Sequence, residues 1–248
     1  MKPSSLTAIL TAVFIATACS AEQPSCAFDC GPEEDIANIA DIEDDAQPRP
    51  PLDQSKATYL ITPGMGIPET ADMSRGDVPR DDYGRPYTYE GLGAPLPLLT
   101  GTLADGTPFD SASLEGRWTV IEVWGIWCHD SMNDAPYAAA LNTALAQDPS
   151  VDFMTIHTPQ NAARADKATK SYTSVGAWFE AKGYSFPTVV DADASLRDTL
   201  NIRWTPSYLV IAPDRTVQAF RTGLADAGGD PVKDFVRDIA ALRAADEP

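Results

Sequence analysis

Cys128 lies where an apolar run meets a helical one, in the segment Glu122-Val123-Trp124-Gly125-Ile126-Trp127-Cys128-His129-Asp130-Ser131. A cysteine in that place is suited to act as a nucleophile. The unpaired N–H groups and dipole of a helix start favour a thiolate over a thiol, and a position just past a strand end leaves the sulfur accessible. His129 would stabilise the thiolate when protonated, although with an ordinary pKa of about 6.5 it is mostly neutral at pH 7. Asp130 acts in the opposite sense, and both residues read equally well as solvent-facing groups at a helix start. Glu122 is the acid of the apolar run. Buried there, its carboxyl has a raised pKa and can either shuttle a proton or serve as a hydrogen-bonded structural acid. Ser131, three residues after the cysteine, offers no nucleophile comparable to a thiol at neutral pH.

The other three of the four cysteines, Cys19, Cys26 and Cys30, lie near the N-terminus. Cys26 and Cys30 suit a small local disulfide or two free thiols. No second Cys/His pair accompanies them and His157 has no partners at metal spacing, so neither a metal nor any other cofactor is expected.

The elements that must position Cys128 begin with Trp118 to Trp124, whose apolar composition suits a strand covered on both faces. Ser131 to Ala146 has helical composition, and Val151 to His157 reads as a second strand. Val175, Trp178, Phe179 and Lys182 follow helical spacing, with Gly183 as C-terminal cap. Phe186 to Val190 is short and apolar and precedes a polar helical piece through Leu200. Ser207 to Ala212 and Val217 to Arg221 flank the turn Pro213-Asp214-Arg215 as a hairpin. Asp230 caps a last helix that starts at Pro231 and carries the stripe Val232, Phe235, Val236, Ile239. This order implies a layered α/β domain with a mixed sheet.

Trp124, Trp127, Cys128, Asp134 and Pro136 match the spacing N-F-W-A-x-W-C-x-x-C-x-x-E-x-P, and on these residues the chain resembles the thioredoxin superfamily in its TlpA-like branch. Gly93-Ala94-Pro95, Asp105-Gly106 and Leu114 to Trp118 resemble that branch's lead-in to its first core strand, and Asp214 and Gly223 fit its hairpin and exit. The resemblance covers about residues 91 to 245. It implies a thioredoxin-like three-layer fold, a mixed central sheet flanked by helices, and a cis-proline loop at Trp204-Thr205-Pro206-Ser207 beside the cysteine. Thr205, Pro206, Trp127 and His129 would shape a substrate groove, and Glu122 aligns with the buried acid of thioredoxin itself.

The departure from the pattern is Ser131, which occupies the place of the second, resolving cysteine. A dithiol reductase releases its mixed disulfide by attack from that sulfur, so self-contained dithiol turnover is excluded. The resemblance then implies thiol–disulfide exchange in a monothiol mode through Cys128, with Ser131 and Glu122 completing the catalytic set. Protein or small-molecule thiols and disulfides would be the partners. Release would come from an external thiol, a second thiol on the substrate, or Cys26 or Cys30. The alternative is a redox-inactive thioredoxin-like binding or scaffold lipoprotein. Peroxide reduction ranks lower, because peroxiredoxin-like enzymes usually carry Thr or Ser where Gly125 stands.

The formal charge of −18 argues against nucleic acid, since phosphate neutralisation needs clusters of Lys and Arg. Lys2 followed by the apolar stretch Leu6 to Ala18 reads as an export signal. Ala16-Thr17-Ala18-Cys19 resembles the lipobox of bacterial lipoproteins, which makes Cys19 the lipidation site and the periplasmic face of a bacterial membrane the expected location. Residues 1–19 are thus read as signal peptide, 20–54 as an acidic, Pro-containing tether, 55–92 as an extension whose order the sequence leaves open (with a strand at Ala57 to Thr62), and 93–246 as the thioredoxin-like domain.

Overall fold

The computed structural model describes residues 57–246. The signal, the lipidation of Cys19, the Cys26 and Cys30 pair and the acidic tether all lie outside the described residues.

A five-stranded sheet organises the domain. Its strands are β3 (Trp118–Trp124), β4 (Val151–His157), β5 (Thr188–Val190), β6 (Ser207–Ile211) and β7 (Val217–Thr222), in the spatial order β5-β4-β3-β6-β7. β3, β4 and β5 run parallel, whereas β6 and β7 are antiparallel to their neighbours. All seven residues of β3 are buried. Their alternation divides two cores: Trp118, Val120 and Trp124 face one, Ile121 and Val123 the other.

The first core is closed by α1 (His129–Leu145), α2 (Val175–Lys182) and α4 (Pro231–Asp246), which contribute Leu141, Trp178 and Phe235 among others. α2 starts at Ser174, whose hydroxyl accepts from Ala177 N, and stops at Gly183 in the left-handed region. Asp230 accepts from Lys233 N at the start of α4. The second core is closed by the short α3 (Ser195–Thr199) with Leu200, and by the segment that precedes β3, including Tyr89, Leu96 and Leu99. The sheet is thus mixed and flanked by helices, as a thioredoxin-like fold requires.

Two differences from the sequence expectation concern the chain before β3. Residues 57–62 do not form a strand: only Ile61 pairs, bridging Phe220 on the outer edge of β7. A ribbon of β1 (Thr100–Thr102) and β2 (Pro108–Asp110) forms where no strand is expected, from a turn whose Thr-Gly-Thr arm has no apolar alternation. Residues 57–92 contain little regular structure but pack tightly. Tyr89 stacks on Phe220 at 5.8 Å and donates its hydroxyl to Leu200 O at 2.7 Å, while Thr222 Oγ1 donates to Ala57 O.

Helix α1 begins two residues earlier than composition suggests, at His129, with Cys128 as its N-cap. The boundary falls there because Gly125, Ile126 and Trp127 turn the chain sharply: Cys128 N donates to Gly125 O at 2.9 Å.

Candidate active site

Cys128 has extended backbone angles, φ −87° and ψ 129°, and its side chain makes no capping bond to α1. The sulfur is half-buried, and as a thiol it donates to Thr205 O at 3.3 Å. The Thr205–Pro206 peptide is cis. The cysteine at the helix start and the carbonyl before the cis-proline are therefore in direct contact, although they are far apart in sequence.

The loop that carries Cys128 is held from below. Gly125 sits so close to its neighbours that a Cβ there would lie 2.8 Å from Thr158 O and 2.3 Å from Trp127 Nε1. Trp127, half-buried, donates its indole N–H to Thr158 O at 2.7 Å. Ile126 N donates to His157 Nε2 at 3.3 Å. His157 is sealed at the end of β4 against Trp124, and burial pushes its imidazole down to about 4. It is therefore neutral at physiological pH and acts as an acceptor. Its Nδ1, on the side of the Ala168 carbonyl, has no hydrogen bond of good geometry.

Ser131 is fully buried, and its hydroxyl accepts from Gly125 N at 3.3 Å. Its contact is thus with the turn that sets the height of Cys128. His129 and Asp130 are both exposed at the start of α1.

Below this loop, on the first-core face, lies a group of buried polar side chains. Glu122 is 1% exposed and stands opposite Tyr208 in the β3–β6 pairing. Its Oε2 has no hydrogen-bond partner. Burial raises its pKa well above the usual carboxylate range, the Asp134 charge adds to the rise, and the Tyr208 hydroxyl offsets part of it. Asp134, also 1% exposed, receives the Tyr208 hydroxyl at 2.5 Å, Leu224 N at 2.5 Å and Ala225 N at 2.6 Å. Burial raises its pKa too, and these bonds together with the Arg221 charge oppose the rise. The two carboxyls differ in support: Asp134 has three protein donors and the Arg221 charge opposing the rise, while Glu122, with Oε2 unpartnered, is the one pushed well above the usual range.

The sequence picks out Asp134 only as a motif match, and it misses Tyr208 and Arg221. Tyr208 falls on the same face as Glu122 only because β6 pairs with β3 in this register, which no local pattern reveals. Arg221, 3% exposed, donates to Gly223 O and Thr58 O and lies 5.1 Å above the Phe235 ring. Among the described residues no group of three or more His, Cys, Asp or Glu is placed to hold a metal ion.

A mixed sheet with a cysteine at the first helix start, facing the carbonyl that precedes a cis-proline, defines a thioredoxin-like protein. The Redoxin family model matches residues 91–237, and the chain belongs to that family. It is 32% identical over 119 residues to the soluble secreted antigen MPT53 of Mycobacterium tuberculosis, covering 48% of this chain and 61% of that protein. It is 24% identical over 140 residues to the thiol-disulfide oxidoreductase ResA of Bacillus subtilis, covering 56% of this chain and 71% of ResA. A solved structure of a secreted M. tuberculosis disulfide oxidoreductase is 25% identical and covers 58% of this chain and 95% of that one, with a TM-score of 0.43. The chain thus spans about three fifths (61%) of the length of the mycobacterial antigen it matches.

Proposed function

We propose that this chain is an exported thiol–disulfide exchange protein that works through Cys128 as a single nucleophile. The observation that carries the reading is the half-buried Cys128 sulfur at the start of α1, 3.3 Å from the carbonyl that precedes cis-Pro206. A substrate disulfide meeting that sulfur is flanked by Trp127 on one side and by the Thr205 backbone on the other. The Cys128 thiolate attacks one sulfur of the substrate, the substrate's other sulfur leaves as a thiolate, and a mixed disulfide forms. In this reading Glu122, the buried acid of β3 with a raised pKa, supplies the proton for the leaving group. With Ser131 in the second position, an outside thiol completes the cycle.

Family membership and the similarity to ResA support the reading, as does the name of the secreted mycobacterial relative for export. The apolar stretch Leu6 to Ala18 ending at Cys19 supports a lipid anchor on the periplasmic face of a bacterial membrane. Trapping tests the site. Exposed to disulfide-bearing proteins, the wild-type chain should accumulate mixed disulfides that appear on a non-reducing gel and vanish on reduction, and Cys128→Ser should accumulate none through this site. A wild-type chain that forms no adduct through Cys128, even with a small aromatic disulfide, refutes exchange and leaves the redox-inactive binding protein.

A further inference from the structure

We propose that a recess beside Pro206 binds an amino-acid-type thiol, bearing a carboxylate and an ammonium group, as the reductant that frees Cys128 from its mixed disulfides. The proposal rests on the monothiol reading above, which requires an outside thiol and leaves its chemistry open.

The recess is bounded by Trp204 and Pro206, by Asp130 at the start of α1, by Asp226 beyond β7, and by Thr58 and Arg85 from the segment ahead of the sheet. Its Pro206 wall is bonded directly to Thr205, whose carbonyl accepts from the Cys128 thiol at 3.3 Å.

Arg85 is the unusual feature. It is 7% exposed, and its Nε donates to Asp81 Oδ2 at 2.8 Å. Asp81, 4% exposed, is committed to the interior: it also accepts from the backbone N–H groups of Ala57, Tyr83 and Arg85. The Tyr83 ring lies 4.8 Å from the guanidinium carbon. Nη1 donates to Asp226 Oδ2 at 2.9 Å, and Nη2 makes no hydrogen bond among the described residues. A guanidinium fixed this firmly, with one N–H edge unengaged at a recess, is a preformed fork for a carboxylate.

The remaining charges narrow the ligand. Asp130 is exposed and the Asp226 carboxylate is 73% exposed, so a simple anion would be repelled from the rim. Asp134, which also borders the recess, is saturated by Tyr208, Leu224 and Ala225. One cationic fork next to two accessible carboxylates complements a zwitterionic head group: carboxylate on Arg85, ammonium on Asp226 or Asp130. Arg85 and Thr58 lie outside the matched family region, 91–237, whereas the rest of the recess lies within it.

The chemistry balances with two equivalents of the thiol. The first thiolate attacks the mixed disulfide and expels the substrate as a thiolate, leaving Cys128 joined to the small molecule. A second attacks the small molecule's sulfur, which forms its symmetrical disulfide and releases Cys128 as a thiolate. Per cycle, one substrate disulfide is reduced to two thiols and two small thiols are oxidised to one disulfide.

The test uses the full chain with Cys19, Cys26 and Cys30 changed to serine, loaded at Cys128 with thionitrobenzoate. Release of the yellow thiolate is timed with L-cysteine, cysteine ethyl ester (no carboxylate), N-acetylcysteine (no ammonium), β-mercaptoethanol (neither) and glutathione (the same head group farther from the sulfur). Each rate is divided by that thiol's rate on a small thionitrobenzoate disulfide in solution, which cancels intrinsic nucleophilicity. Cysteine or glutathione should exceed the ester and the N-acetyl form by about ten-fold, the scale of one charge-assisted contact. Which of the two leads shows whether a free amino acid or a short peptide is held. Asp226→Asn should narrow the gap to N-acetylcysteine, and Arg85→Lys the gap to the ester. Equal normalised rates for all five thiols overturn the recess proposal while exchange at Cys128 stands. Failure of Cys128 to take the label at all overturns both.

Discussion

Glu122 and Tyr208 face each other across the β3–β6 pairing, yet the tyrosine gives its hydroxyl to Asp134 and leaves Glu122 Oε2 without a partner. A buried carboxyl in that position holds its proton, since burial and the Asp134 charge both raise its pKa well above the ordinary range.

Glu122→Gln should therefore change the pH dependence of stability in a definite sense. With a raised folded pKa, the stability Glu122 contributes is fully present below its unfolded pKa, about 4.3. It is lost as pH rises through the folded value, because the unfolded state gives up the proton first. The glutamine variant, which resembles the protonated acid in shape, should match the wild type at acid pH and become the more stable chain at neutral and alkaline pH. Thermal unfolding of both chains across the pH range checks this. A difference that does not grow with pH would mean that Glu122 is not held protonated.

Gly125→Ala should damage both stability and exchange. The added Cβ would fall 2.8 Å from the Thr158 carbonyl, a backbone atom that cannot rotate aside, and 2.3 Å from the Trp127 indole nitrogen. Overpacking of this kind costs about 1–3 kcal/mol. Because Gly125 O also accepts from Cys128 N, any displacement moves the sulfur relative to Thr205. The expected outcome is a lower denaturant midpoint with slower labelling of Cys128 by a small disulfide. The same clash explains why a peroxiredoxin-like Thr has no room here.

What could be read in the sequence, and what could not, divides along the range of the interactions. β3, α2, the β6–β7 hairpin and α4 carry their signals locally, in apolar runs, a capping serine and glycine, and the Asp230-Pro231 start. Cys128 as helix N-cap is local too. The Glu122–Tyr208 opposition needs the register of strands far apart in sequence, and Arg85 needs a buried Asp81 to make it rigid. Ile61 shows the same limit. Its apolar neighbourhood suggests a strand, but only one residue reaches β7, because Pro63 and Gly64 turn the chain away directly afterwards.

Ser131→Cys should convert the chain into a dithiol protein. The substituted sulfur would sit at the place where the family pattern carries its resolving thiol. It is a weaker acceptor for Gly125 N than the hydroxyl it replaces in a fully buried site, so a stability loss of about 1 kcal/mol is expected. In return, mild oxidation should join Cys128 and the new cysteine, seen as a loss of two hydrogens by mass spectrometry. Mixed disulfides at Cys128 should then become short-lived, since attack by the new sulfur is intramolecular. Persistence of the adducts at wild-type levels would show that position 131 cannot reach the mixed disulfide.

His157→Gln should flatten the acid side of the stability profile. Burial holds the His157 imidazole at about 4, below its ordinary 6.5, so the folded state resists a proton that the unfolded chain accepts. A depressed pKa contributes stability above the unfolded value, and that stability is lost as pH falls through the window from about 6.5 to 4. Each tenfold loss of proton affinity on folding is worth about 1.4 kcal/mol, so the full effect is on the order of 3 kcal/mol. Glutamine can still accept from Ile126 N but cannot titrate. Carboxylates also titrate in this range, and subtracting the variant's profile from that of the wild type isolates the histidine. A residual slope of the expected size between pH 6.5 and 4 is the required result. If it holds, protonating folded His157 near pH 4 also turns Nε2 from acceptor to donor against the Ile126 N–H, so below that pH labelling of Cys128 should fall more steeply in the wild type than in His157→Gln, beyond the decline that thiolate protonation causes in both.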